Sequence, residues 1–207
     1  MSIAVFKVGG SLLDLPDLVE KLQRVLALRA EQRRVLVVGG GALVDGVRIW
    51  SERFSLTDRV AHELALDAMG TTARLVACLL PTARLCSNEV ECRVAWSHNQ
   101  CPVVDCQSFL KPDLSIPIGW HVTSDSLSAR VAVALGAREL VLLKSINLPQ
   151  QLGQTGEKST SHNGHDTDVP AVDEWFFTAS RGIPLVSWCC LRQSEIVISR
   201  WLDSKSE

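Results

Sequence analysis

Three stretches of the chain carry residues whose types and spacing suit the handling of phosphate. The first is Lys7-Val8-Gly9-Gly10-Ser11, an apolar run ending in two glycines and a hydroxyl. Glycines let backbone N–H groups approach an anion, a serine adds a donor, a following helix adds its positive end, and a lysine supplies a full charge. A plain glycine turn is the bland alternative, but a lysine inside an apolar run is costly unless its ammonium reaches a partner. The second stretch, Val37-Val38-Gly39-Gly40-Gly41-Ala42, repeats the design. Neither contains GxxxxGK[ST], and a GxGxxG reading fails because position 44 is Val, so both common nucleotide-loop fingerprints are missing. The third, Trp120-His121-Val122-Thr123-Ser124-Asp125-Ser126-Leu127, crowds hydroxyls and one carboxylate ahead of an apolar helical face. Asp125 taken by itself reads more readily as a helix cap.

These groups need elements that bring them together, and the hydropathy pattern supplies them. Strand-sized apolar runs alternate with longer amphipathic segments, the signature of βα units around a largely parallel sheet. The fold expected is an α/β three-layer αβα sandwich. Strands are expected at Ile3–Val8, Val35–Val38, Glu139–Leu143, Leu185–Trp188 and Glu195–Ile198, with short edge strands at Val94–Trp96 and Pro102–Asp105. Helices are expected over Pro16–Ala30, Ala42–Glu52, Asp58–Leu80, Ser126–Leu135 and Val172–Ser180. If the first two strands are parallel neighbours, both glycine turns meet at one carboxyl edge, where open α/β sheets bind ligands. The stretch Pro149–Asp168 is polar apart from Leu152 and is expected to be a mobile loop.

Composition narrows the function classes. The 207 residues are 46% hydrophobic and 21% charged, enough for a folded core. Twenty-one Lys and Arg against 23 Asp and Glu leave a net charge of −2, so no global positive field draws in nucleic acid or an anionic membrane. No apolar run approaches the roughly 18 residues of a transmembrane helix. The N-terminus lacks the basic and long apolar regions of a signal peptide, and the expected location is cytoplasmic. Seven cysteines without a CxxC pair suggest buried free thiols, neither a disulfide framework nor a zinc site. His162, His165, Asp166 and Asp168 have metal-ligand chemistry but sit in the polar stretch, and no metal site is expected there.

Taken together, the motifs resemble the amino acid kinase family, which includes acetylglutamate, aspartate, uridylate and isopentenyl phosphate kinases. KVGGSLL at Lys7–Leu13 looks like its first glycine motif, VLVVGGGALVD at Val35–Asp45 like its second, and TSDSLSARVAVALGARELVLLKS at Thr123–Ser145 like its nucleotide-side segment. The short length, with RVAHELALDAMG at Arg59–Gly70 and WHVTSDSLSARVA at Trp120–Ala132, is most similar to the small kinases that act on aminomethylfuran phosphate in methanofuran-type cofactor synthesis. The resemblance implies a single domain over 1–207, with about 1–118 binding the acceptor and about 119–207 the nucleotide.

It also implies ATP with Mg²⁺, phosphoryl transfer to a small anionic acceptor, and a homo-oligomer. By the resemblance, Lys7 neutralises charge on the transferred group and Asp125 orients Lys7. Gly9, Gly10 and Ser11 would hold ATP phosphates, and Gly39, Gly40 and Gly41 the acceptor. Arg59 and His62, with Asp67, can share a helical face near the second glycine turn; Arg59 is then a candidate grip for a phosphate and Asp45 for an amine. An ordinary solvated helix face remains the alternative. Among the six tryptophans, expected mostly in the core, Trp120 is the candidate for lining an acceptor pocket.

The chain departs from the family in one respect. The GGM-type motif whose downstream lysine supplies a second cation has no counterpart between Leu152 and Pro184. Lys144, Lys158 and Arg181 are substitutes, with Lys144 first and Ser145 beside it as nucleotide contacts. A non-catalytic nucleotide- or anion-binding protein, or a kinase for an amino acid carboxylate, are the other readings left open.

Overall fold

The computed structural model describes residues 1–148 and 171–203. One seven-stranded sheet runs in the order β3-β4-β2-β1-β5-β6-β7. Its strands are β1 (Ile3–Val8), β2 (Arg33–Val38), β3 (Ala83–Cys86), β4 (Cys101–Val104), β5 (Glu139–Lys144), β6 (Leu185–Cys190) and β7 (Ser199–Asp203). Every pairing is parallel except β6 with β7. The helices are α1 (Leu18–Ala27), α2 (Ala42–Phe54), α3 (Asp58–Leu79), α4 (Glu89–Ser97), α5 (Cys106–Leu110), α6 (Ser124–Ala134) and α7 (Phe176–Ala179). This is the α/β architecture expected from the sequence, with helices on both sheet faces and β1 at the centre.

Alternation along β1 divides its side chains between two cores. Ala4, Phe6 and Val8 pack with Leu18, Leu22 and Val25 of α1, while Val5 packs with the face that carries Leu127, Ala129 and Val131 of α6. Lys7 follows Val5 by two residues, so strand geometry puts its side chain on the α6 face. The central strands are buried on both faces, which is why β2 and β5 read as unbroken apolar runs rather than alternating ones.

Several elements differ from the sequence reading. Val94–Trp96, expected to be an edge strand, lies inside α4. The deciding feature is a capping box: the Asn88 side chain accepts from the Glu91 N–H at 2.9 Å, and the Glu91 carboxylate accepts from the Ser87 N–H at 2.7 Å. The strand expected at Pro102–Asp105 is β4, covered on one side by β3, so it is not an edge. The final strand begins at Ser199 rather than Glu195 and is antiparallel. The helix expected over Val172–Ser180 narrows to α7, because Asp173 is committed elsewhere. The expected loop Pro149–Asp168 lies outside the described residues, and with it Lys158 and the His162–Asp168 cluster. Among the described residues, no helix is long and apolar enough to cross a membrane. Cys86, Cys92, Cys101, Cys106 and Cys189 are buried free thiols, and Cys78 is exposed.

Candidate active site

Parallel pairing of β1 and β2 in register, Val8 opposite Val38, carries both glycine turns to the same carboxyl edge. Their backbones touch. A Cβ placed on Gly10 would lie 2.2 Å from the Gly41 nitrogen, and one on Gly41 would lie 2.6 Å from the Gly10 carbonyl oxygen. Gly41 also has φ +54°, a conformation side chains disfavour. Glycine at 10 and 41 is therefore required by the approach of one turn to the other. Gly9 and Gly39 donate their N–H groups to Leu143 and Val8 carbonyls at 2.9 Å, which anchors the turns to the strand ends. Gly40 is held by contact too, since a Cβ there would meet the Val44 side chain at 2.1 Å.

On the neighbouring side, Asp125 stands in the first turn of α6, 5% exposed. Lys7 Nζ lies 2.9 Å from its Oδ1, and Lys144 Nζ, at the end of β5, lies 2.7 Å from its Oδ2. Lys144 also donates to the Ala171 carbonyl at 2.8 Å. Burial opposes the charge on Asp125, but the two ammonium groups outweigh it and hold the carboxyl below the usual carboxylate value. Burial and the neighbouring Lys7 push Lys144 down to about 8, against the pull of Asp125. Lys7, Lys144 and Asp125 together carry one net positive charge in a buried place, offset in part by the Asp173 carboxylate that acts on Lys144. Such a charge stabilises negative charge arriving from outside.

A cavity of about 960 Å³ opens beside this cluster. Lys7, Asp125, Gly10 and Ser11 line it on one side and Gly40, Gly41 and Asp45 on the other. His62, Trp120 and Arg48 also face it. His62 hydrogen-bonds the Gly119 backbone, and burial holds its imidazole below the ordinary value. Trp120 lines the cavity with the Arg48 guanidinium 4.4 Å from its ring centroid. Ser11 donates to Ser145 across the sheet edge at 3.0 Å. Arg59 is placed apart: its exposed side chain lies 3.8 Å from Glu63 on α3 and does not line this cavity. Arg181 is exposed as well.

Two residues of the site escaped the sequence reading. Arg48 is the cation that faces the cavity from α2, and its signal is the spacing from Asp45, three positions earlier on the same helix face. Asp173, whose carboxylate reaches the start of α6, has no local motif around it. Among the described residues no group of three or more His, Cys, Asp or Glu side chains is placed to hold a metal ion.

Comparison with known proteins bears on the family and the fold. A family profile described as the amino acid kinase family matches residues 2–147. No curated protein matches. Among solved structures, the chain is similar to a UMP kinase from Bacillus anthracis, with TM-score 0.65 and 11% identity, covering 93% of this chain and 88% of the other. A UMP kinase from Ureaplasma parvum gives TM-score 0.64 and 12% identity, with coverages of 94% and 92%. A uridylate kinase from Archaeoglobus fulgidus gives 0.55 and 16%, with coverages of 77% and 71%. At these identities the likeness concerns the fold.

Proposed function

The chain belongs to the amino acid kinase family, and from that premise we propose that it is a small-molecule kinase moving the γ-phosphoryl group of ATP to a small anionic acceptor. The observation that carries this reading is the buried Asp125 held between Lys7 and Lys144 at the rim of the two touching glycine turns. An oxygen of the acceptor forms a bond to the γ-phosphorus while the bond from that phosphorus to the β–γ bridging oxygen breaks, and ADP leaves. A phosphate monoester acceptor attacks as its anion, so no general base is needed. The chemistry then rests on alignment and on charge placed where it develops.

Lys7 and Lys144 supply that charge. Asp125 keeps the two ammonium groups apart and aimed, and Lys144 takes the place of the second cation that the family motif would have provided. Ser11 and Ser145, bonded to each other at 3.0 Å, mark the nucleotide side, and the α2 N-terminus with Gly40 and Gly41 marks the acceptor side. The residues fit a triphosphate: Gly10, Ser11, Gly40 and Gly41 line the cavity beside Lys7, and Lys7 and Lys144 bring two positive charges to the one Asp125 carboxylate. Asp125 is already paired twice, so Mg²⁺ is expected to be held chiefly by the nucleotide's phosphates, where it neutralises charge on them.

For the acceptor we favour a phosphate monoester with an apolar or aromatic body, with aminomethylfuran phosphate as the specific candidate. Arg48 on Trp120 supplies a cation and a flat surface, Leu66 and Met69 supply an apolar wall, and Asp45 offers a carboxylate for an amine. The test is ADP release from Mg·ATP with a panel of phosphate monoesters and amino acid carboxylates, repeated with Lys7→Ala. Acceptor-dependent ADP formation that the substitution removes is the expected result. Normal ATP binding with no turnover on any acceptor would replace the kinase with a nucleotide-binding protein.

A further inference from the structure

The first turn of α6 is tied to a residue nearly fifty positions further along. The Asp173 carboxylate accepts from the Thr123 N–H at 3.0 Å, the Thr123 hydroxyl at 2.7 Å and the Ser126 N–H at 3.1 Å. It also accepts from the Ser126 hydroxyl. Two residues before it, the Ala171 carbonyl accepts from Lys144 Nζ at 2.8 Å. The segment 171–173 thus grips both ends of the bond that joins Lys144 to Asp125, one end through the ammonium and the other through the helix turn that carries the carboxylate.

We propose that Asp173 is a positioning residue for phosphoryl transfer, fixing the first turn of α6 so that the two oxygens of Asp125 stay divided between Lys7 and Lys144. This rests on reading those three side chains as the transfer centre. Capping of this helix is shared: the Thr123 side chain accepts from the Asp125 N–H at 3.4 Å, and Asp173 takes the Ser126 N–H at 3.1 Å. What Asp173 adds is a fixed anchor for both N–H groups and both hydroxyls of the turn. A carboxylate that loses this anchor swings with its helix end, and a misplacement of about 1 Å at a reacting centre can cost on the order of a hundredfold in rate.

The anchor also contributes charge. Among the described residues, the groups facing Lys144 are Lys7 from β1, Asp125 from α6, Asp173 from the segment before α7, and the Trp188 ring from β6, 5.5 Å away. Asp125 and Asp173 favour the ammonium, while burial and Lys7 disfavour it. Neutralising Asp173 therefore makes Lys144 easier to deprotonate, an effect that a residue serving only to staple the chain together would not have.

The experiment uses the full chain labelled at lysine side chains, with the Lys144 signal assigned by its loss in Lys144→Gln. The ammonium titration of Lys144 and amide exchange at 124–127 are followed by NMR in the wild type, Asp173→Asn and Ser126→Ala. Asp173→Asn is expected to lower the Lys144 midpoint and speed exchange of these amides. Ser126→Ala, which removes one donor and keeps the charge, should speed exchange and leave the midpoint in place. An Asp173→Asn protein with both midpoint and exchange equal to wild type overturns the proposal. If Asp173→Asn does not fold, Ser126→Ala and Thr123→Val decide it, since unchanged exchange at Asp125 in both would show that the anchor holds nothing. In turnover, Asp173→Asn should lower kcat by about ten- to a hundredfold, with a much smaller change in acceptor KM. Wild-type protein that binds Mg·ATP but transfers to no acceptor defeats the kinase reading, and the Lys144 titration still judges Asp173.

Discussion

Lys144 sits where burial and a second ammonium work against its own charge, and this sets the pH behaviour of the site. Pushed down to about 8, it begins to lose its proton just above neutral pH, and with that proton goes the second positive charge. The rate on kcat/KM, which reports the free protein, is therefore expected to fall above about pH 8. Bound phosphates favour the ammonium, so the same limb on kcat at saturating nucleotide should move to higher pH. A kcat/KM profile flat through the alkaline range would remove Lys144 from the chemistry. For stability the sign is opposite. Between about 8 and the ordinary 10.5 the unfolded chain binds a proton that the folded chain has released, so stability gains a rising contribution with pH across that window. Asp125, held below its ordinary value, contributes stability above the carboxylate range that is lost as pH falls through its lowered value. Lys7→Ala removes one of the two cations and should reduce turnover by about 10²–10³. A reduction under about threefold would show that Lys144 alone suffices.

Elements aim these residues, and the two glycine turns do so by touching. Gly10→Ala drives a methyl into the Gly41 backbone, where neither partner is a flexible side chain. The expected cost is about 1–3 kcal/mol, read as a lower Tm, with loss of nucleotide binding because the cradle is forced apart. Gly46, inside α2, is the control: a Cβ there meets nothing within 4 Å. Gly46→Ala should stabilise the protein by up to about 1 kcal/mol through helix propensity and leave binding unchanged. If both substitutions gave the same Tm change, contact between the turns would not be what requires glycine.

For the molecule as a whole, a ligand bound to the folded state alone raises stability by linkage. Mg·ATP at about a hundred times its Kd should add about 2.7 kcal/mol, a clear thermal shift, and Lys7→Ala should diminish it. An equal shift in both proteins would place the nucleotide away from the cluster. The homo-oligomer implied by family resemblance is open to sedimentation. Ile49, Trp50 and Phe54 expose apolar surface on α2, at 57, 53 and 65%. A dimer or larger species at micromolar concentration is the expected outcome, and a monomer throughout would leave that surface to solvent.

The central sheet and its glycine turns could be read from residue order, because buried parallel strands demand continuous apolar runs and a lysine within one demands a partner. β1, β2, β5 and β6 were legible for that reason, as were Lys7 and Asp125 as chemical candidates. The ends of the chain order were less legible. Val94–Trp96 has strand-like composition, and a capping box three to six residues earlier makes it helix. Tertiary structure alone decided that Lys144 meets Lys7 on one carboxylate, that Arg48 faces the cavity while Arg59 turns to Glu63, and that Asp173 closes the first turn of α6. Those contacts join residues far apart in sequence, and no local periodicity records which of several cations or carboxylates a folded sheet edge brings within 3 Å of another.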